Sequence, residues 1–339
     1  MDKRILRGSL AALGIFLLIL DSLTALKGAH EAIEMCLSSV IPSIFPFLVL
    51  SGILTPAISG MNLRLSRSLS RILGIPSGSE GIFLTGILAG YPTGAQAVHH
   101  AWEQGQLSKE DAHRMLAFCS NAGPSFLFGV LSAKFSDSWM LWVLWGVHIL
   151  SAIAVAIILP RRENTSHHVS SASTVTLTQS LKKAVITMGY ICGWVVLFRI
   201  MLAFLDRWFL WVLPVDVRVG IYGLLELANG CCSAHLVTSA GMRFILSSGM
   251  LAFGGICVAM QTTSVTGQLG LGRYLPGKIL QTCISILLSM VTQGILFPAS
   301  EKVVVSPVLL LFILILILFF AYIPRKNKNR GSIQSAISV

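Results

Sequence analysis

The sequence predicts an all-α polytopic membrane protein, built as an inverted repeat with about eight transmembrane helices and two re-entrant broken hairpins. The first observation is composition, because the 339 residues are 54% hydrophobic and 12% charged, whereas soluble domains carry roughly a quarter charged residues. The second is a series of apolar runs of about twenty residues, the length that crosses a bilayer. The third is that glycine and proline interrupt some of these runs and so open the helical backbone.

The apolar runs and the polar stretches between them divide the chain into five parts. Residues 1–32 hold an N-terminal transmembrane helix at 5–26, which we expect to remain uncleaved. Residues 33–160 form a first repeat, 161–183 a polar cytoplasmic linker, 184–300 a second repeat, and 301–339 a last helix at 304–323 with a basic tail. The remaining predicted helices are 33–59, 112–132, 139–159, 184–205, 244–266 and 277–297, and the broken hairpins are 80–106 and 217–242.

The first hairpin and the helix after it carry the first group of candidate site residues. The hairpin breaks at GYPTG, and the helix is interrupted by SNAGPS. Freed backbone amides in hydrocarbon are tolerated only where protein or water satisfies them, and many secondary transporters build a midplane binding site from two broken segments. The alternatives are a packing turn at the first interruption and a proline kink at the second. The candidate substrate-binding residues here are Gly90, Tyr91, Pro92, Thr93, Gly94, Gln96, Ser120, Asn121 and Ser125.

Glu226 is the most distinctive candidate site residue in the second repeat. It is a carboxylate within an apolar segment, and acids inside a membrane are costly enough to indicate function by default. We expect it to take a coupling proton or cation, or to bind the substrate. The alternative is a structural partner of Arg199 or His235. The other predicted substrate-binding residues of this repeat are Asn229, Gly230, Gln261 and Thr262.

The two repeats are related by an alignment of Gly94 with Gly230, which brings the same order of elements together: helix, broken hairpin, broken helix, helix.

The net charge of +11 comes from basic residues at the ends of apolar runs, a pattern typical of membrane topology. This pattern places both termini and the linker in the cytoplasm, with Arg114 and Lys278 counted as cytoplasmic loop charges, and it inverts one repeat relative to the other. The basic segment 62–74 is either a helix on the membrane surface or a basic loop.

Five segments carry a family resemblance. They are IPSIFPFLVLSGIL, GILAGYPTGAQ and EQGQLSKEDAHRMLAFCSNAGPSFLFG in the first repeat, and, more loosely, GLLELANG and AFGGICVAMQ in the second. Together they cover most of residues 33–297 and resemble the YlbJ-type sporulation integral membrane proteins, which carry the nucleoside-recognition Gate domain. The resemblance implies an architecture distantly like that of concentrative nucleoside transporters. It also implies a part in moving dipicolinate toward the developing spore, at the outer forespore membrane.

These observations predict a secondary transporter of the bacterial cytoplasmic membrane for a small polar or anionic metabolite, and not an enzyme. The sequence contains no G-x-S-x-G, H-E-x-x-H or P-loop motif, which are the signatures of common hydrolase and nucleotide sites. We expect no cofactor apart from a coupling proton or sodium ion, no bound metal and no nucleic-acid partner. The expected partners are the lipid bilayer and a small-molecule substrate, and a homo-oligomer is left open. A non-transporting scaffold in spore formation and a nucleoside transporter remain as alternatives.

Overall fold

The structure is a computed structural model that describes residues 3–59, 64–135, 137–160 and 175–298, together with Val303, Leu314 and Ile317. Within these ranges the chain is helical and contains no β-strand, so the all-α prediction is confirmed. The described helices of the first half are α1 (Lys3–Leu20), α2 (Ser22–Met35), α3 (Ile41–Ser59), α4 (Arg64–Leu73), α5 (Glu80–Leu88), α6 (Thr93–Glu103), α7 (Lys109–Leu116), α8 (Pro124–Val130) and α9 (Ser138–Ile158). Those of the second half are α10 (Leu177–Trp208), α11 (Val215–Leu225), α12 (Leu227–Ser233), α13 (Ala240–Phe253), α14 (Gly255–Thr266) and α15 (Tyr274–Leu296).

Five helical stretches of the described residues are long and apolar enough to cross a bilayer. They are Ser22–Leu54, Ser138–Ile158, Leu177–Trp208, Ala240–Leu269 and Tyr274–Leu296. Their outer faces carry exposed apolar side chains such as Leu150 and Ile295, which are suited to contact with lipid. The predicted number of about eight spans stays a prediction, because the helix expected at 304–323 lies outside the described residues except for Leu314 and Ile317.

The N-terminal helix boundaries predicted from the sequence are wrong. Instead of helices at 5–26 and 33–59, α1 ends at Leu20, and α2 continues through a π-helical segment, Cys36–Val40, into α3. The division falls at Asp21 because its side chain accepts a hydrogen bond from the backbone N–H of Thr24 at 3.3 Å and so caps a new helix. The boundary placed between residues 32 and 33 therefore lies inside a continuous helix.

The polar linker is shorter at its C-terminal end than the predicted 161–183. Residues 161–174 lie outside the described residues, and α10 begins at Leu177. A capping box fixes this start, because Thr176 accepts from the N–H of Gln179 and the Gln179 side chain accepts from the N–H of Thr176.

Of the two interpretations offered for segment 62–74, the helix is confirmed by α4, while its contact with the membrane surface stays a prediction.

Each predicted interruption is a true break between helices. Residues 89–92 separate α5 from α6, residues 117–123 separate α7 from α8, Glu226 separates α11 from α12, and Gly254 separates α13 from α14. Gly90 and Gly254 have φ values of +80° and +81°, a left-handed conformation that glycine adopts without steric cost. The same order of elements, a long helix, a two-armed hairpin, a broken helix and a long helix, thus occurs in both halves.

Arg114 is a buried side chain of α7 and not the loop charge that the sequence predicted. Its guanidinium donates to the carbonyl oxygens of Leu73 at 2.9 Å, Gly74 at 2.9 Å, Ala156 at 2.6 Å and Pro160 at 3.1 Å. These acceptors are carbonyls at the C-terminal ends of α4 and α9, which no longer have partners within their own helices. Arg114 therefore ties two helix ends to α7.

Close glycine contacts hold the two arms of each hairpin together. A Cβ atom on Gly94 would overlap the carbonyl oxygen of Cys119 and lie 2.8 Å from the Cα of Gly86 in the other arm. In the second hairpin, a Cβ on Gly230 would overlap the Cα of Gly223 in the opposite arm and lie 2.7 Å from the sulfur of Met250. In both halves, then, a glycine lets the backbone of one arm approach the other arm and the broken helix that follows.

We expect Gly94→Ala to destabilise the protein by about 1–3 kcal/mol, because the added methyl group meets backbone atoms that cannot move aside easily. The matched control is Gly146→Ala in α9, where an added Cβ meets nothing within 4 Å and a helix gains roughly 0.5–1 kcal/mol from losing a glycine. Thermal unfolding of both variants in detergent micelles measures the difference. Equal melting temperatures for the two variants would contradict the glycine contact.

Candidate binding site between the helix breaks

A cavity of about 40 Å³ lies where the helix breaks of the two halves meet. Its polar lining comes from Gly90 and Tyr91 in the first hairpin break, Ser125 at the start of α8, Glu226 in the second hairpin break, and Gln261 in α14. The apolar lining includes Val40, Ile44, Phe126, Ile191, Val195 and Val258. Five residues predicted for a substrate site are thus brought to one cavity, although their role in binding stays a prediction.

The other predicted site residues lie outside the lining of this cavity. Pro92, Thr93, Gly94 and Gln96 lie at the start of α6, Gly230 packs against the opposite hairpin arm, and Thr262 is fully buried in α14. Ser120 and Asn121 belong to a separate buried network described below. The structure therefore brings part of the predicted set to the cavity lining, and the substrate-binding role of all of these residues stays a prediction.

The Glu226 carboxylate caps the N-terminus of α12. One carboxylate oxygen accepts from the N–H of Ala228 at 3.0 Å, and the other accepts from the backbone N–H of Asn229 at 2.6 Å and its side-chain amide at 2.7 Å. These amides have no acceptor within the helix, so the carboxylate satisfies them and also interacts favourably with the helix dipole. Glu226 is 2% exposed and lines the cavity. It therefore caps α12 and also forms part of the cavity wall.

The two structural partners considered for Glu226 lie elsewhere. Arg199 pairs with Glu31 through Nε at 3.0 Å and with Asp206 at 3.8 Å. His235 places Nδ1 2.8 Å from the carbonyl oxygen of Cys232. Pairing of Glu226 with either residue is therefore wrong, and its structural contact is the helix cap.

A network around Lys278 is the main feature that the sequence analysis missed. Lys278 lies in α15 with no exposed surface, and its Nζ donates to the hydroxyl of Tyr91 at 3.1 Å, to the amide oxygen of Gln281 at 2.7 Å and to the carbonyl oxygen of Ser120. Nζ also lies 5.1 Å from the centre of the Tyr91 ring. The sequence predicts Lys278 as a cytoplasmic loop charge, but the structure places it four positions inside a long helix.

A periodic pattern of polar residues in α15 is the sequence signal that could have identified this network. Lys278, Gln281, Ser285, Ser289 and Gln293 recur every three or four residues, and all five are buried. Such spacing places side chains on one face of a helix. A polar face turned toward the protein interior in an apolar helix marks a buried network, which hydropathy counts do not detect.

His148 in α9 satisfies another backbone group freed by the break at 117–123. Its Nε2 accepts from the N–H of Ala122 at 3.1 Å, and the side chain is 1% exposed. Because Nε2 accepts, the proton of the neutral ring lies on Nδ1. The broken segment between α7 and α8 is therefore held from two sides, by α9 through His148 and by α15 through Lys278 and Gln281.

The size of the cavity limits what it holds in this conformation. A water molecule needs a cavity of roughly 10–15 Å³, so about 40 Å³ accommodates a few waters and not a metabolite. Gly90 and Gly123 of the lining pack backbone against backbone, because a Cβ on Gly90 would lie 2.8 Å from the nitrogen of Gly123. Binding of a larger ligand therefore requires residues of this lining to move apart.

Comparison with known proteins gives a distant similarity to the sporulation integral membrane protein YlbJ of Bacillus subtilis (strain 168). The match is 25% identical over 134 residues and covers 39% of this chain and 33% of the relative. The match thus spans a third of the length of that relative. It supports the predicted YlbJ-type resemblance and, with the apolar helices, identifies an integral membrane protein in contact with lipid. No protein-family model matches the chain, and no solved structure matches it.

We expect His148→Leu to lower the free energy of unfolding by about 1–3 kcal/mol, because the N–H of Ala122 would be left buried without an acceptor. His148→Gln is the matched control, since its amide oxygen can replace Nε2 as the acceptor and should recover part of the loss. Thermal unfolding in detergent micelles compares the two variants. Equal destabilisation by leucine and glutamine would show that the hydrogen bond does not stabilise the break.

Proposed function

We propose that this protein is a secondary transporter for a small polar or anionic metabolite, and that the cavity between the helix breaks is its substrate site. The observation that carries the proposal is the cavity lining, in which broken backbone and polar side chains from both halves face one space. Discontinuous helices that meet near the middle of the bilayer are the usual way in which transporters expose polar backbone to a substrate. Glu226 is the acidic group of this lining and the candidate for a coupling proton or cation.

The proposal includes the inverted repeat with two re-entrant hairpins. Support comes from the repeated order of elements and from the equivalent glycine contacts of Gly94 and Gly230. The two glycines are also the residues that align when the halves are compared by sequence. In such a repeat, one hairpin opens toward each side of the membrane, and alternating access follows when one repeat moves against the other.

The proposed setting is sporulation, and the proposed substrate is dipicolinate. The name of the relative describes a sporulation integral membrane protein, and the motif segments around GYPTG and SNAGPS resemble the same family. We place the protein in the cytoplasmic membrane, at the outer forespore membrane during spore formation, with the Gate-type architecture of that family. The nucleoside suggested by the Gate name is the alternative substrate.

A non-transporting scaffold in spore formation is the second candidate, and the small cavity favours it. Breaks that close around about 40 Å³ and satisfy their own backbone groups are also expected of a rigid membrane scaffold.

The deciding experiment is uptake into proteoliposomes that contain the purified protein, with radiolabelled dipicolinate and radiolabelled uridine as probes. Saturable dipicolinate uptake supports the proposal, saturable uridine uptake supports the nucleoside alternative, and uptake of neither probe above empty liposomes supports the scaffold.

We expect Glu226→Gln to reduce uptake about tenfold or more while the protein stays folded, because the change keeps the shape of the side chain and removes its buried charge. The dependence of uptake on pH or sodium should change as well. Glu34→Gln is the matched control, since Glu34 is an exposed carboxylate of α2 away from the cavity lining. Normal uptake by Glu226→Gln with the same ion dependence would leave Glu226 with the role of a helix cap alone.

The predicted orientation places the connection between α6 and α7 in the cytoplasm. Gln104 is exposed there, so Gln104→Cys should react with a membrane-impermeant thiol reagent after the cells are opened and not before. The wild-type protein is the control, because its seven cysteines are buried or half-buried. Reaction of Gln104→Cys in intact cells would reverse the orientation of the first hairpin and contradict the inverted repeat as proposed.

A further inference from the structure

Lys278 presents a buried positive charge without an ionic partner in the described structure. Its side chain has no exposed surface, and in the ranges 3–59, 64–135, 137–160 and 175–298 no carboxylate forms an ion pair with it. A buried charge is costly unless its surroundings replace the water that it has lost. What replaces the water here is a set of oxygen atoms.

Three oxygen atoms surround the ammonium group, one for each of its three N–H bonds. They are the hydroxyl oxygen of Tyr91 at 3.1 Å, the amide oxygen of Gln281 at 2.7 Å and the carbonyl oxygen of Ser120. The first belongs to the first hairpin break, the second to α15, and the third to the unwound segment between α7 and α8. The ammonium group therefore joins three separate parts of the fold.

The neighbours of these oxygens orient them independently of the lysine. The Asn121 side-chain amide donates to the carbonyl of Phe118 at 2.8 Å, and its own oxygen accepts from the Gln281 amide at 3.0 Å. Gln281 must then turn its oxygen toward Nζ. The Tyr91 hydroxyl in turn donates its proton to the carbonyl of Leu251 at 3.2 Å, so a lone pair of its oxygen faces the ammonium group.

A hydroxyl, an amide carbonyl and a carbonyl of unwound backbone are the ligands that hard cations prefer, and broken transporter helices hold sodium ions with such carbonyls. We propose that the Lys278 ammonium group occupies a monovalent-cation site formed by the Tyr91, Ser120 and Gln281 oxygens. As a tethered cation, it holds the first hairpin break against the unwound segment without a free ion. This inference concerns the stability of the two breaks and does not rest on the transport activity proposed above.

Two substitutions of Lys278 separate a cation site from a simple packing contact. Lys278→Ala removes the ammonium group and leaves the oxygens facing an open space. Lys278→Met removes the same charge but fills the space with a side chain of similar length. The probes are sodium chloride and methylammonium chloride, compared with choline chloride at the same ionic strength, because choline is too large to enter.

We expect both variants to melt below the wild type in choline chloride. In Lys278→Ala, sodium or methylammonium should raise the melting temperature by roughly 3 °C for each tenfold increase in its concentration above the dissociation constant. Lys278→Met and the wild type should show no difference between the salts, because their site is filled.

The proposal is overturned if Lys278→Ala melts at the same temperature in all three salts, or if Lys278→Met and the wild type respond as Lys278→Ala does. If the alanine variant does not fold in choline chloride, the same samples still test the proposal. Recovery of a monodisperse Lys278→Ala protein in sodium or methylammonium supports the site. Aggregation of that variant in every salt overturns it, since a vacated cation site would accept the free ion.

Discussion

The backbone groups freed between α7 and α8 impose the constraint on which the rest of this structure depends. Ala117, Phe118 and Cys119 still donate to carbonyls of α7, but residues 120–123 leave the helical hydrogen-bond pattern in the protein interior, where each unpaired amide or carbonyl would be costly. His148 accepts from the N–H of Ala122, and Lys278 donates to the carbonyl of Ser120. Because these side chains come from α9 and α15, the two long helices must lie on either side of the break, and their positions fix the core around it.

Tyr91 connects this break to the one in the second half. Its hydroxyl accepts from Lys278 and donates to the carbonyl of Leu251, near the end of α13, while its ring lies against Gly254. The first hairpin is therefore attached both to the unwound segment of its own half and to the broken helix of the other. A motion that separates the first hairpin break from α13 or from Lys278 must lengthen at least one of these hydrogen bonds, so the network opposes that motion.

Glycine and proline in apolar runs predicted the helix breaks well, because the local backbone conformation decides whether a helix continues there. The buried polar network could not be predicted in the same way. A lysine near the start of an apolar helix has the same sequence signature whether it faces cytoplasm or protein, so topology counting misplaced Lys278 and Arg114. Likewise, Glu226 was recognised as unusual, but its capping of α12 depends on a backbone turn that a single residue type does not specify.

The position of Glu226 links the state of the cavity to the integrity of α12. Its carboxylate oxygens already accept from the first amides of that helix, so a proton or cation that binds the carboxylate from the cavity competes with the cap. By linkage, Glu226 binds that proton or cation more tightly when α12 has released these amides. Binding of the proton or cation favours this released state of α12 to the same extent. An acid placed at a helix cap instead of in a salt bridge is thus suited to transmit the occupancy of the cavity to the second hairpin.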